Sequence, residues 1–591
     1  MSRSSSPSSM WAQTWSLIRP YFWESPQRIS ALALIAFVLV LSVFGGWWQT
    51  KLVAWMGAKT NALQSKNREQ FYALLPDFCW LLLVLIVVVV MAFYLAEVLE
   101  IRWRRWFTKR LLARWFEHRA FYQLELMRNM PGSQMPDNPD QRIHEDVQRF
   151  VSSTCSLVTG LMVSLATLVV FGAVLAGIDD GADLMIAGEA VNIPGFMLWV
   201  ALLYCGAGTL ITYWLGRALK QMNFELQKRE AHFRYHMARV RDNAEAIALD
   251  RAQEIEHFQL DQKLEALLQS KYALVKRQTR LSWFTNFFSN LSMLFPYLVL
   301  AERYFGGHIS MGTLVEVSMA FGMVQTSLSW FINNFSGLAE WRASAQRLAE
   351  LESALDRAVE PSALHHDSVD SHVAVEGLEL RLPSGQLLLQ NIAIRIEKGC
   401  NVLIGGPSGC GKSTLLRAFS GIWPFAKGHV SLPDKVMFIP QQPYFPEGRL
   451  RDALAYPSHA ENYSDTQFAQ ALMQAGLSAL QSRLDDFEAW QSLLSGGERQ
   501  RLAVARVLLK QPAWVFADEA SSALDNASEA RVYEALTQMA QRNGGAVISV
   551  AHRDSVRKYH QQQWLLDPKT HGLNAAMVIE RPAPSSTATA C

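Results

Sequence analysis

The fold class this chain predicts is a membrane α-helical bundle of six spans followed by an α/β domain built around a phosphate-binding loop. Three observations predict it. Six long apolar runs fill the region 29–345, the basic residues between those runs segregate to one side, and a glycine-rich loop joins a buried strand to a helix beyond residue 400. Composition agrees. Of the 591 residues, 50% are hydrophobic and 18% charged, whereas soluble domains carry about a quarter charged residues. The net charge of +2 implies no field for nucleic acid.

The N-terminal segment 1–28 begins Ser-rich and continues as an aromatic stretch: Trp11, Trp15, Ile18, Tyr21, Phe22 and Trp23. That pattern suits a short helix lying in the membrane interface. The first apolar run has no small-residue cleavage site after it, so it is expected to stay as a membrane helix.

A bilayer core needs about 20 apolar residues in a helix. The stretches 29–48, 78–99, 153–178, 193–216, 284–305 and 311–335 meet that length, and only the last carries a charge near its centre. Basic residues crowd the 100–152 and 217–283 loops, from Arg102 to Arg149 and from Arg217 to Arg280. The 179–192 loop holds Asp179, Asp180, Asp183 and Glu189 with no Lys or Arg. The positive-inside rule therefore expects both long loops, and both termini, in the cytosol. Residues 218–283 lack Pro and Gly and space their apolar residues by three and four, which predicts long cytosolic helices. Gln49, Asn286, Asn290, Gln325, Ser329 and Asn333 lie within apolar spans. Polar groups in lipid are costly, so they are expected to face the bundle interior or to bond between helices.

At the tip of the first cytosolic loop, Asn138-Pro139-Asp140-Gln141 reads as a helix start: Asn as N-cap, Pro at the first helical position and Gln completing a capping box. It is either a plain helix start after Pro131, Gly132 and Pro136, or a coupling segment resting on the downstream domain. The stretch 346–372 loses periodicity from Ser353 onward and is expected to be a linker. Residues 373–580 then read as one domain, and 581–591 as an unstructured Pro/Ser/Thr/Ala-rich tail. Cys79, Cys155, Cys205, Cys400, Cys410 and Cys591 form no C-x-x-C pair, so they read as free thiols.

In that domain, Val402-Leu403-Ile404 is a buried strand leading into Gly406-Pro407-Ser408-Gly409-Cys410-Gly411-Lys412-Ser413-Thr414 and a helical pattern. Backbone N–H groups of such a loop wrap the phosphates of ATP. Lys412 reaches the β/γ oxygens and Ser413 ligates Mg²⁺. A second apolar strand, Val515-Phe516-Ala517, ends in Asp518, expected to hold Mg²⁺, and Glu519, expected to polarise the attacking water. Between them, Leu494-Ser495-Gly496-Gly497-Glu498-Arg499-Gln500 precedes a strongly periodic helix, whose N-terminus suits an anion.

This last segment resembles the signature loop of ATP-binding cassette (ABC) proteins, with Glu at 498 in place of Gln. The resemblance implies that Ser495, Gly496 and Gly497 face the γ-phosphate of ATP held by another copy. It assigns Gln441 to the loop that touches Mg²⁺ and couples to the membrane part, Asp525 in Ser522-Ala523-Leu524-Asp525 to the loop across the dimer boundary, and His552 to the γ-phosphate switch. Glu519, His552 and Gln441 are thus the expected catalytic set, and Ser413, Gln441 and Asp518 the expected Mg²⁺ set. Two departures stand out. No aromatic lies near 380–385, which leaves Leu382 as the expected adenine contact. The T-E-V-G-E segment common in exporters is replaced by Asp486-Phe487-Glu488-Ala489-Trp490.

Together with Pro440-Gln441-Gln442-Pro443-Tyr444, Gly421-Ile422-Trp423-Pro424 and Asn138-Pro139-Asp140-Gln141-Arg142, the signature segment resembles subfamily D of that family. Its bacterial branch has a membrane domain similar to SbmA/BacA peptide permeases, and Leu328-Ser329-Trp330-Phe331-Ile332 and Leu338-Ala339-Glu340 resemble it. The resemblance implies a type IV, exporter-like fold in the inner membrane. It also implies an ATP-hydrolysing half-transporter working as a homodimer, or as a heterodimer with a similar chain, on hydrophilic cargo such as peptides or vitamin B12. Coupling would run through segments near 138–147 and 244–256. Export of lipids, acyl chains or drugs, and ATP-gated regulation of a partner, remain as alternatives at this level.

Overall fold

A computed structural model describes residues 10–128, 138–177, 182–186, 189–193, 195–330, 334–358, 363–369 and 372–578. The chain divides into two units, one of Met1–Ala113 with Asn138–Glu352 and one of Arg114–Asp137 with Ser353–Cys591.

In the first unit, helix α1 (Met10–Arg19) continues through Pro20–Glu24 to the long helices α2 (Arg28–Gln64) and α3 (Arg68–Phe116). The aromatic segment splits by face: Leu17, Tyr21 and Phe22 are buried, while Trp11, Trp15 and Trp23 stay exposed. Tyr21 stacks on Trp103 of α3 at 5.6 Å, so the N-terminal segment is fixed against α3. After α4 (Ala120–Arg128), which belongs to the other unit, come α5 (Val147–Gly177), α6 (Phe196–Gly216), α7 (Leu219–Asp242), α8 (Gln253–Phe305), α9 (Met311–Leu328) and α10 (Phe335–Ala358). At 1.5 Å per residue, α3 and α8 run for about 75 and 80 Å, far beyond a bilayer core of about 30 Å. The Gly- and Pro-free sequence of 218–283 thus forms the helical extensions expected of it, broken by a turn near Arg251. His236 joins the two arms of that hairpin. Its Nδ1 accepts from Lys263 Nζ at 2.6 Å and its Nε2 donates to Glu256 at 2.7 Å.

Among the described residues, five helices are long and apolar enough to cross a membrane. Glu316 and Gln325 make α9 less apolar than the others, yet it is the most enclosed. Val317, Ala320, Phe321 and Val324 pack into a core with Val53 of α2, Phe171 of α5, Ala201 of α6 and Leu300 of α8. Gly57 of α2 makes room for Glu316, because a Cβ there would stand 2.0 Å from its carboxylate. Gln325 accepts from Ser292 at 2.9 Å, as expected of a polar group bonding between helices. Asn286 and Asn290 differ from the expectation of an interior position. Both are exposed, and each amide donates to the carbonyl four residues back in α8. Asn333 lies outside the described residues.

Three further expectations change. The acidic 179–192 loop contains an antiparallel hairpin, β1 (Ala182–Ile186) with β2 (Glu189–Ile193). The linker begins later than Ser353, since α10 continues to Ala358. The capping box at Asn138 does not form. Asn138 has φ 46°, and its side chain makes no cap bond, whereas an N-cap needs an extended backbone to aim its oxygen at the helix. Pro139 does occupy the first helical position, and Gln141 donates to Glu145 instead.

The second unit is the α/β domain. A four-stranded sheet runs β3 (Ala363–Ser368), β7 (Ala426–Leu432), β4 (His372–Arg381), β5 (Leu387–Glu397). A six-stranded sheet runs β12 (Gly572–Val578), β11 (Gln562–Asp567), β6 (Val402–Gly405), β10 (Val547–Val550), β9 (Trp514–Asp518), β8 (Val436–Ile439). From β11 to β8 every pairing in this sheet is parallel. Its central strands β6, β9 and β10 are buried on both faces, which explains their continuous apolar sequence. Arg114–Arg128, from the first basic loop, belongs to this unit too: Arg114 pairs with Asp356, Leu126 packs on the domain core, and Arg119 donates to the Ser420 carbonyl at 3.3 Å. Residues 138–147, read from sequence as one of two coupling segments, are part of the helical unit.

Candidate nucleotide site

In an open parallel sheet the loops at the carboxyl ends of the strands form the binding crevice. Four neighbouring strands here, β6, β10, β9 and β8, end in the segments carrying Lys412, His552, Asp518-Glu519 and Gln441. Register alone pairs residues as far apart in sequence as Val402 and Ile548, and thereby sets these segments side by side.

The loop after β6 turns through Gly406 (φ 140°), Gly409 (φ 80°) and Gly411 (φ 100°), angles that side-chain-bearing residues rarely adopt. At Gly406 a Cβ would also meet Cys410 Sγ and the Leu566 carbonyl at 2.9 Å. Helix α11 (Lys412–Phe419) follows at once, so its free N–H groups point into the loop. Lys412 is buried, and its ammonium donates to the Gly406 and Pro407 carbonyls, both at 2.9 Å. Ser413 Oγ donates to Asp518 Oδ1 at 3.1 Å. Burial pushes the Asp518 carboxyl above its ordinary range, and the Ser413 hydrogen bond only partly offsets this. A half-buried carboxylate beside a hydroxyl is a donor pair that fits Mg²⁺.

Glu519 sits one residue past β9 at φ 49° and donates its N–H to the Val550 carbonyl at 3.0 Å. Gln441 Nε2 donates to Glu519 Oε2 at 2.9 Å, and His552 Nε2 lies 3.3 Å from Oε1. The three residues expected to be catalytic from sequence are therefore in contact.

Ser495 caps helix α12 (Gly496–Lys510) in a complete capping box with Glu498: the hydroxyl accepts from the Glu498 N–H, and the carboxylate accepts from the Ser495 N–H at 2.9 Å. Glutamate is thus the residue that closes this box, and those bonds hold its carboxyl below its usual range. Asp525 caps α13 (Asn526–Arg542), accepting from the Ser528 N–H at 3.1 Å. Leu382 is half-buried in the tight turn between β4 and β5, its N–H donating to the Gln386 carbonyl.

Sequence reading gave no role to Gln500, Arg553 or Glu529. Gln500 is buried and donates to Ser522 Oγ at 2.8 Å while accepting from the Ala523 N–H at 2.9 Å, so it ties the signature helix to the loop before Asp525. Arg553 donates to the Leu524 carbonyl at 2.6 Å and to Ser522, and pairs with the buried Glu529. One signal was available: Gln500 is a lone amide on the apolar face of α12.

Comparison with known proteins agrees with this geometry. Residues 17–305 match the family model "ABC transporter transmembrane region 2", and residues 389–522 match "ABC transporter". An uncharacterized ABC transporter ATP-binding protein of Haemophilus influenzae is 33% identical over 92% of this chain and 90% of its own length. The inner membrane ABC transporter ATP-binding protein YddA of Escherichia coli is 31% identical over 91% of this chain and 94% of its own. The human lysosomal cobalamin transporter ABCD4 is 29% identical over 79% and 80%. A membrane-helical unit and an ATPase unit in one polypeptide, with relatives aligned across both, show that this chain belongs to the ABC transporter family.

Proposed function

We propose that two copies of this chain form a homodimer in a bacterial inner membrane and couple ATP hydrolysis to the passage of a hydrophilic solute, with the ATPase domains and both termini in the cytosol. The observation that carries this reading is the clustering of Lys412, Asp518, Glu519, Gln441 and His552 at the ends of neighbouring strands. A single chain has one such cluster and one Ser495 loop. A site needing both is completed by a second copy.

In that site Lys412 exchanges the loop carbonyls for phosphate oxygens, and the glycine-loop N–H groups hold the anion. Ser413, Asp518 and Gln441 would hold Mg²⁺, which together with ATP supplies the charge-neutralised phosphoryl group. Glu519 orients a water and takes its proton, while His552 keeps the carboxylate aimed. Ser495, Gly496, Gly497 and Asp525 of the second copy close the opposite face. Leu382 would contact the adenine ring.

Hydrophilic cargo is supported by the membrane-domain resemblance and by the relative named as a cobalamin transporter. Vesicles of known orientation, supplied with ATP on one face, test it with labelled cobalamin and a labelled peptide. ATP-dependent movement of either supports the reading. Movement of a labelled acyl chain instead would redirect the cargo to lipids.

A further inference from the structure

A cavity of about 520 Å³ opens where the turn into α2 meets the cytosolic stretch of α3, lined by Gln27, Ser30, Arg102, Arg105, Trp106 and Lys109. Its α3 residues follow the spacing i, i+3, i+4, i+7, so they share one helix face. Three of the six lining residues are cations and none is an acid. Arg102 donates to Ser30 Oγ at 2.8 Å, fastening the two walls of the cavity. Among the described residues, Arg105 and Lys109 have no hydrogen-bond or carboxylate partner. The neighbouring cations differ: Arg110 pairs with Glu352 at 3.7 Å and Arg114 with Asp356. Acids therefore neutralise the next positions along α3 but leave this face charged.

Depth points to the same ligand. The apolar run of α3 is broken at Glu97, so Arg102 and Arg105 stand about 8 and 12 Å beyond it along the axis, and their long side chains reach back to headgroup level. The exposed Trp11, Trp15 and Trp23 mark the same interface on the adjoining helix. The cytosolic leaflet is the one rich in anionic lipid, and basic pockets there take phosphorylated headgroups.

We propose that this cavity binds a phosphate ester, presented as the headgroup of an anionic phospholipid of the cytosolic leaflet. The headgroup bridges the α1–α2 turn to α3, with Arg105 and Lys109 as its charge partners and the Trp106 ring edge against the glycerol.

The test uses the full chain in detergent with mixed phosphatidylglycerol and phosphatidylcholine, read by native mass spectrometry of retained lipid. Wild type should hold phosphatidylglycerol in preference to phosphatidylcholine. The Arg105→Gln/Lys109→Gln variant should lose about tenfold or more of that preference. Arg105→Lys, which keeps the charge, should retain it and shows that position 105 tolerates change. A charge-matched control, Lys276→Gln/Arg277→Gln on α8, should behave as wild type. Equal loss in the control would overturn the site in favour of general surface charge, and so would full retention in the double variant. Inorganic phosphate at 50-fold excess over lipid should not displace the lipid. Displacement would overturn the lipid as the source of the phosphate.

Discussion

Gln441 and His552 grip opposite oxygens of Glu519: the amide donates to Oε2 at 2.9 Å, and the imidazole lies 3.3 Å from Oε1. They come from the ends of β8 and β10, the strands on either side of β9, so any shift of either strand end reaches the carboxylate directly. Replacing Glu519 by Gln keeps the shape but removes the base. Steady-state phosphate release should fall by about 10²–10⁴-fold, while nucleotide binding measured by filter retention stays near wild type. Turnover close to wild type would remove Glu519 from this role.

The capping box at Ser495 makes a separate prediction. Ser495→Ala should destabilise the ATPase unit by about 1 kcal/mol, through loss of the helix cap, and also remove nucleotide-dependent dimer closure. Glu498→Gln retains an acceptor for the Ser495 N–H, so its denaturation midpoint should stay close to wild type. Urea titrations of the two variants separate these outcomes.

In the helical unit, Arg347 clasps Asp146 with two bonds, Nε to Oδ2 at 2.7 Å and Nη2 to Oδ1 at 2.6 Å. The Asp146 side chain is only 6% exposed, so Arg347→Met leaves a buried charge behind and should cost about 3 kcal/mol. Asp146→Asn in the same chain should restore part of that loss. A double-mutant cycle on thermal stability, giving a coupling energy near zero, would show that the pair does not bind the start of α5 to α10.

His560 predicts a pH dependence. It is buried, its Nδ1–H donating to the Val556 carbonyl and its Nε2 accepting from Ser549, and burial pushes it down to about 4. Above pH 6.5 it is neutral folded or unfolded and changes nothing. As the pH falls from 6.5 towards 4, the unfolded chain takes up a proton that folded His560 refuses, so stability drops. The loss reaches about 3 kcal/mol at the acid end. Melts of wild type and His560→Gln at pH 7.5 and 5 should show the flatter dependence in the variant.

Much of this was legible in the sequence because the signals are local. Six apolar runs have the length of a bilayer, and a glycine loop between strand and helix admits few other conformations. Contacts that depend on register were not legible: nothing near Gln441 in the chain announces that it meets Glu519, and the lone amide of Gln500 on an apolar face does not name its partners Ser522 and Ala523. The Asn138 cap failed for a physical reason. Asn also tolerates a left-handed backbone, which aims its side chain away from the helix it precedes. Arg114–Arg128 escaped notice as part of the ATPase unit because the kink at His118 and Arg119 that separates α4 from α3 carries no Gly or Pro.

Complementation between two inactive chains tests the composite site most directly. A Lys412→Ala chain keeps its Ser495 loop, and a Ser495→Arg chain keeps its Lys412 loop. Each variant alone should fail to trap nucleotide with vanadate, whereas their mixed dimer should regain one trapped nucleotide per dimer. Trapping at the wild-type level by either variant alone, or none in the mixed dimer, would contradict a site shared between two copies.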